Sequence, residues 1–92
     1  MKPNITIIVI DTIRYDMFKA IADAEKRLEG FVLLDKCIAP SSWTLPSHAS
    51  IFTGMYPSDH GAHETTKIKA LDVDKIKLRR RTFVSDLNSM GY

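Results

Sequence analysis

Two residues of the sequence have the chemistry for attack on an ester, the carboxylate of Asp11 and the hydroxyl of Thr44. A threonine hydroxyl is a poor nucleophile at neutral pH, and it needs a base or a metal to remove its proton. A carboxylate such as Asp11 is a suitable ligand for a hard or borderline divalent metal. The pair therefore predicts a site that attacks a tetrahedral oxyanion ester.

Asp11 is expected at the end of a buried β-strand. Residues Ile5–Ile10 are β-branched at every position and apolar at all but Thr6. A short run of this kind is typical of a strand that is buried on both faces, and such strands belong to parallel sheets. Because ligands bind at the carboxyl edge of open α/β sheets, Asp11 would lie where a ligand site is expected.

Thr44 is expected at the amino terminus of a helix. The pattern predicts a helix over Leu45–Thr53, with Pro46 in its first turn and Gly54 directly after its end. Thr44 would then be the N-cap residue, with its hydroxyl near unpaired N–H groups and the positive end of the helix dipole. This environment suits a phosphate or sulfate group.

The remaining elements complete the predicted architecture. Apolar residues three and four apart predict a helix over 16–28, and the later sequence predicts a strand over 31–39 and a helix over 82–90. Strands that alternate with helices indicate the α/β class. We therefore expect a single domain over residues 1–92 with a mostly parallel sheet.

Each candidate residue also has an ordinary structural interpretation. A threonine is a common N-cap, and an aspartate at the end of a strand is a common turn former, in both cases without any chemistry. His48, one turn into the predicted helix, would on composition alone be a structural hydrogen-bonding residue. His60 and His63 lie in a turn-rich stretch and would ordinarily be surface residues.

Two segments of the chain resemble motifs of one enzyme family. Residues 9–14 (VIDTIR) resemble the opening strand motif of sulfatases and related phosphoesterases of the alkaline phosphatase superfamily. Residues 42–61 (SWTLPSHASIFTGMYPSDHG) are similar to the nucleophile segment of that family almost throughout. The two segments occur in the family's order, and the resemblance extends over residues 5–61.

The resemblance implies roles for individual residues. Asp11 matches the first metal ligand, and Thr12 stands at the second of the two adjacent acidic ligands that many sulfatases carry. Thr44 stands at the Cys or Ser that becomes formylglycine in the C/S-x-P-x-R motif, and His48 stands at the Arg of that motif. Because threonine cannot become formylglycine, the standard sulfatase mechanism is not implied.

Thr44–His48 (TLPSH) is closer to the T-x-P-N-H segment of nucleotide pyrophosphatase/phosphodiesterases, in which the threonine attacks phosphorus directly. The resemblance therefore implies Thr44 and His48 as catalytic residues, and Asp11 and Thr44 as metal ligands. Ser47 replaces the Asn and is implied as a substrate-binding residue. The metal would be a divalent ion (Zn, Mn or Ca), and the substrate a small-molecule sulfuric or phosphoric ester, with a phosphoric ester favoured.

The resemblance also implies a fold, the three-layer sandwich of alkaline phosphatases, of which this chain would form the amino-terminal part. Members complete the metal site with residues far downstream of the nucleophile. Asp59-His60-Gly61 matches the turn after the nucleophile helix, so we expect it to be structural. We expect the chain alone to be inactive and to form homo-oligomers through exposed strand edges. The alternatives are an inactive module that binds an anion or a metal, and a small α/β interaction domain.

Composition argues against several other classes of protein. The net charge of +2 is too small to indicate nucleic-acid binding. The longest apolar stretch, Ile5–Ile10, is too short to cross a bilayer, and no signal peptide follows Met1. The single cysteine, Cys37, excludes an internal disulfide, and its apolar neighbours predict a buried thiol in a reducing compartment. We expect a cytoplasmic protein that binds neither nucleic acid nor membranes.

Overall fold

A computed structural model of the chain describes residues 2–24, 29–65, 67–68 and 76–92. The helices within these ranges are α1 (Tyr15–Ala24), α2 (Thr44–Thr53), α3 (Pro57–His60) and α4 (Phe83–Ser89). The chain divides into a first unit, Met1–Cys37, and a second unit, Ile38–Tyr92. The first unit contains α1, and the second contains the other three helices.

The predicted α/β fold class is wrong, because the described residues contain helices and no strand. Neither Ile5–Ile10 nor Phe31–Ala39 forms the strand predicted for it. A strand inside a parallel sheet is buried on both faces, whereas Ile8 is 81% exposed and Val32 is 86% exposed. A strand also exists only when its backbone pairs with a neighbour, and β-branched residues favour the conformation without supplying that neighbour. The three-layer sandwich implied by the resemblance is wrong for the same reason.

Helix α1 is supported by an interaction at its start. The Arg14 guanidinium donates two hydrogen bonds to the Asp16 carboxylate, from Nε to Oδ1 at 3.1 Å and from Nη2 to Oδ2 at 2.8 Å. Asp16 lies in the first turn, where a negative charge interacts favourably with the helix dipole. The helix predicted over 16–28 is observed as Tyr15–Ala24. Residues 25–28 lie outside the described residues.

Helix α2 is closed at its carboxyl end by Thr53 and Gly54. The Thr53 hydroxyl donates to the Ala49 carbonyl at 2.7 Å and accepts the Met55 N–H at 3.2 Å. Gly54 adopts φ 69°, and its N–H donates to the Ser50 carbonyl at 2.8 Å. A left-handed glycine of this kind ends a helix because it has no Cβ to clash with the preceding turn. The predicted end of the helix at Thr53 is therefore observed.

Helices α3 and α4 both pack against α2. The rings of Phe52 and Phe83 are stacked with their centroids 5.3 Å apart, which joins α2 to α4. The Thr82 hydroxyl accepts the Ser85 N–H at 3.3 Å and so caps α4. The helix predicted over 82–90 is observed as Phe83–Ser89.

The buried centre of the second unit is small and partly polar. Among the described residues, the buried ones are three residues of α2, the last residue of α3 and a residue two positions after it: Pro46, Ala49, Ser50, His60 and Ala62. Cys37, for which the sequence predicted a buried thiol, is exposed. Within the described ranges, the helices are too short or too polar to cross a bilayer.

Candidate functional site

Thr44 is the first residue of α2, and its side chain is exposed. The N-cap position, predicted for Thr44, is occupied by Trp43 with φ −143° and ψ 163°, and the indole makes no capping hydrogen bond. The Thr44 hydroxyl therefore projects from the first turn of the helix rather than from the residue before it. This turn contains no acidic side chain, so no carboxylate on it offsets the positive end of the helix dipole.

His48 is tied to Thr44 through the backbone of the helix. Its Nδ1 lies 2.9 Å from the Thr44 carbonyl oxygen. A carbonyl oxygen only accepts hydrogen bonds, so Nδ1 carries the proton and donates it. In the neutral ring the lone pair is then on Nε2, which is the atom able to accept a proton. One turn of α2 therefore carries both a hydroxyl and a basic imidazole nitrogen.

Ser47 lies between these two residues and has a structural contact. Its hydroxyl donates a hydrogen bond to the Ser41 carbonyl at 3.0 Å, which ties the preceding loop to α2. A serine hydroxyl has a single proton, so Ser47 cannot also donate to a substrate oxygen while this bond is made. A substrate-binding role for Ser47 would require its hydroxyl to rotate away from Ser41.

Asp11 belongs to the first unit, and Thr44 belongs to the second. The Asp11 Oδ1 accepts the N–H of Thr12 at 2.9 Å. Thr12 has φ 62°, a left-handed conformation that is strained for a β-branched residue. The backbone turns sharply at the residue next to the predicted metal ligand.

The described residues do not make up a metal site. They include no group of three or more His, Cys, Asp or Glu side chains placed to hold an ion. Asp11 and Thr44 together would supply two oxygen donors, while Zn is bound by about four ligands and Ca by about six to eight. Of the residues predicted for the site, the structure brings Thr44 and His48 into direct contact.

Two pockets of the second unit lie beside these helices. One, of about 310 Å³, is lined by residues next to the start of α2 and by part of the following loop: Pro40, Ser41, Ser42, Trp43, Pro57, His63 and Glu64. The other, of about 500 Å³, is lined by Lys77, Arg79 and Arg80 among other residues, and His63 lines both. Arg80 is held in place by a 3.0 Å hydrogen bond from its Nε to the Asp59 carbonyl. The described lining of the larger pocket also includes Asp59, so three basic residues and one acidic residue give it a net positive charge, which favours an anionic ligand.

His60 is buried, although its turn-rich surroundings favoured a surface position, and it contacts Ser50. The Ala62 N–H donates to His60 Nδ1 at 3.0 Å, so Nδ1 has no proton. Nε2 must then carry the proton and donate it to Ser50 Oγ, 3.0 Å away. His60 therefore cannot take a proton from Ser50 as a general base would. The contacts support the structural role predicted for Asp59-His60-Gly61.

A signal in the sequence could have located the buried contact between Ser50 and His60. Pro46, Ala49 and Ser50 fall three and four residues apart, so they share one face of α2. A serine on the buried face of a helix requires a hydrogen-bonding partner, and His60 comes just ahead of a glycine that turns the chain back.

Comparisons of the chain with models of protein families, with curated proteins and with solved structures find no match. The function is therefore argued from the residues themselves.

Proposed function

We propose that the chain carries the nucleophile of a hydrolase of phosphoric or sulfuric esters, with Thr44 Oγ1 as the attacking atom. The observation that supports this proposal is the first turn of α2, where an exposed Thr44 is followed by a His48 ring hydrogen-bonded to the Thr44 carbonyl. The resemblance of residues 42–61 to the nucleophile segment of sulfatases and phosphodiesterases points to the same threonine.

The electrostatics of the turn favour an anionic ester. A ten-residue helix has a partial positive charge at its amino terminus, and this terminus has no acidic side chain in its first turn. Negative charge that develops on the non-bridging oxygens during attack would be stabilised there. The cationic residues of the larger pocket in the same unit favour a negatively charged substrate as well.

His48 is assigned the role of proton acceptor. With Nδ1–H on the Thr44 carbonyl, Nε2 is the ring nitrogen that can accept a proton. In the proposed mechanism Nε2 takes the proton of the Thr44 hydroxyl once bound substrate brings the two atoms within hydrogen-bond reach. A bond forms between Oγ1 and phosphorus or sulfur, and the bond to the ester oxygen breaks. The protonated His48 then returns its proton to the leaving oxygen. In a second step water attacks the phosphorus or sulfur on Thr44 while Nε2 takes its proton, the bond to Oγ1 breaks, and the proton returns to Oγ1, which restores the hydroxyl and the neutral imidazole.

A phosphoric ester is favoured over a sulfuric ester. Threonine cannot be converted to formylglycine, the aldehyde on which standard sulfatases depend, whereas a threonine hydroxyl can attack phosphorus directly. The alternative is a module that binds the same anion without turnover. Metal dependence remains a prediction, with Asp11 as its proposed ligand.

Substitution of Thr44 tests the proposal. Since the chain alone is expected to be inactive, the assay uses an intact enzyme that contains the chain, and turnover of an aryl phosphodiester and an aryl sulfate is measured with and without added Zn, Mn or Ca. We expect Thr44→Ala to lower turnover by several orders of magnitude and Thr44→Ser to keep part of it, because serine retains a hydroxyl. Thr53→Ala, at the other end of the same helix, is the matched control. A Thr44→Ala variant with more than about a tenth of the original turnover would exclude the nucleophile role.

Two further measurements separate the alternatives. The amide nitrogen of His48→Asn can still donate to the Thr44 carbonyl, but the side chain has no basic Nε2, so we expect a rate loss of about 10²–10⁴ without loss of helix. If the chain does not turn over, intact-mass spectrometry would detect a phosphorylated Thr44. Phosphate binding by calorimetry without turnover or adduct would select the anion-binding module instead.

A further inference from the structure

The larger pocket of the second unit contains a cluster of charged side chains that takes no part in the proton transfers assigned to α2. Its described lining includes three cationic residues, Lys77, Arg79 and Arg80, and one acidic residue, Asp59. Its volume of about 500 Å³ is within the range of sites that hold small organic molecules. No residue of α2 belongs to the described lining, so this pocket is separate from the turn that carries Thr44.

The basic run of residues 77–81 is divided between this pocket and α4. Arg81 donates from Nε to the Asp86 carboxylate of α4, and it is not part of the described lining. Among the described residues, no carboxylate forms an ion pair with Lys77 or Arg79. Like charges that lie close together repel one another, and an anion placed between them offsets that repulsion. Lys77 and Arg79 are therefore available to an anionic ligand.

Arg80 is already oriented by the protein. Its Nε donates a 3.0 Å hydrogen bond to the Asp59 carbonyl. A guanidinium has five N–H donors in one plane, so this bond leaves four N–H groups on the two Nη atoms. Such a planar group can donate two parallel hydrogen bonds to two oxygens of a tetrahedral anion. Because the side chain is held before a ligand arrives, binding costs less conformational entropy.

Thr65 supplies a neutral donor, and two isoleucines supply apolar surface. The Thr65 hydroxyl oxygen accepts the N–H groups of Lys67 at 3.2 Å and Ile68 at 3.1 Å. A hydroxyl has two acceptor positions and one proton, so these two bonds leave the proton to be donated. Thr65, Ile68 and Ile76 all line the pocket. The lining therefore combines donors for an anion with apolar contacts for an organic group.

We propose that this pocket binds a small organic phosphate monoester, with its phosphoryl group held by Lys77, Arg79 and Arg80 and its organic part against Ile68 and Ile76. A phosphoryl group carries about two negative charges near neutral pH, which suits the net positive charge of the described lining. A sulfate monoester carries a single charge and binds more weakly. The inference does not rest on the hydrolase proposal, because the pocket contains neither the nucleophile nor the base.

Calorimetric titration of the full chain with phenylphosphonate tests the site. This compound has the charge and shape of a phosphate monoester, but its C–P bond is not an ester bond and is not hydrolysed. Inorganic phosphate lacks the apolar part and phenyl sulfate has less charge, so we expect both to bind more weakly. Lys77→Gln and Arg79→Gln should each weaken phenylphosphonate binding about tenfold. Arg81→Gln is the matched control, since Arg81 belongs to the same basic run but pairs with Asp86, and it should leave the affinity unchanged.

Asp59→Asn should change the affinity in the opposite direction. The variant removes the acidic charge from the lining but keeps the backbone carbonyl that holds Arg80. We therefore expect phenylphosphonate to bind about threefold more tightly. Thr44→Ala should leave the affinity unchanged, which separates this pocket from the amino terminus of α2 as the place where the phosphoryl group binds.

Several outcomes would overturn the proposal. These are the absence of phenylphosphonate binding, a loss as large for Arg81→Gln as for Arg79→Gln, and a loss in Thr44→Ala. Equal affinity for inorganic phosphate would contradict the organic part of the ligand. Circular dichroism and Trp43 fluorescence of each variant show whether the fold is kept. These measurements need no turnover, so their outcome is separate from that of the hydrolase proposal.

Discussion

The two units of the chain differ in what they bury. The second unit has a small buried centre whose members include Ser50 and His60, joined by a 3.0 Å hydrogen bond. The first unit contains the most apolar stretch of the sequence, Ile5–Ile10, and leaves it exposed. Hydrophobicity alone therefore does not determine what is buried here. Order in the second unit comes from short-range polar contacts and caps, while the described part of the first unit exposes large apolar side chains.

Trp43 is the only tryptophan of the chain and lies in the second unit, so its fluorescence reports on the unfolding of that unit. Far-ultraviolet circular dichroism adds the contribution of α1. The two signals together can compare the units in one denaturation experiment.

The largest effect is expected for His60→Ala. The variant removes the donor to Ser50 and the acceptor for the Ala62 N–H, and it leaves a void where a 2% exposed side chain had been. We expect the free energy of unfolding of the second unit to fall by about 2–4 kcal/mol. Urea denaturation followed through Trp43 measures the change.

His63→Ala is the matched control for this substitution. His63 is partly exposed and contacts the neighbouring Glu64 carbonyl, so its loss should change the stability by less than about 0.5 kcal/mol. Equal effects of the two variants would show that the buried His60 contacts do not hold α2 and α3 together.

Local signals explain why the helices could be predicted from the sequence. Each of these signals acts within about one turn of the chain. Pro46 has a fixed φ, Gly54 ends α2 in the left-handed conformation, and the Thr82 hydroxyl caps the start of α4. The ends of α2 and α4 consequently lie within about one residue of the predicted ones. The relation of Thr44 to His48 was equally predictable, because residues four apart are neighbours on any helix.

The strands could not be predicted in the same way. Ile5–Ile10 has the composition of a buried strand, but pairing and burial depend on residues distant in the sequence, which composition does not specify. The same difficulty applies to Asp11, whose predicted role depends on a residue of the other unit. The buried position of His60 was not predicted either. The spacing on α2 indicates that Ser50 needs a partner, but which residue supplies it depends on how α3 packs against α2.

A smaller effect is expected for Gly54→Ala at the end of α2. Gly54 has φ 69°, and a Cβ added there would meet no atom within 4 Å, so the cost arises from the backbone conformation alone. We expect a loss of about 1 kcal/mol by the Trp43 signal. Gly54→Asn is the control, since asparagine tolerates the left-handed region better and should cost less. A loss as large for asparagine as for alanine would contradict a purely conformational origin.

The smallest effect is expected for Ile8→Ala, in the first unit. Truncation of an isoleucine to alanine in a packed core costs about 2–5 kcal/mol of unfolding free energy. A loss of that size would be expected if Ile5–Ile10 were the buried strand that the sequence predicted. Ile8 is 81% exposed, so little buried apolar surface is lost, and we expect a change below about 0.5 kcal/mol in dilute protein. Circular dichroism and Trp43 fluorescence would be recorded together at several protein concentrations. A loss of several kcal/mol that is the same at every concentration would instead place Ile8 in a core within one copy of the chain, and the contrast between the two units would then fail.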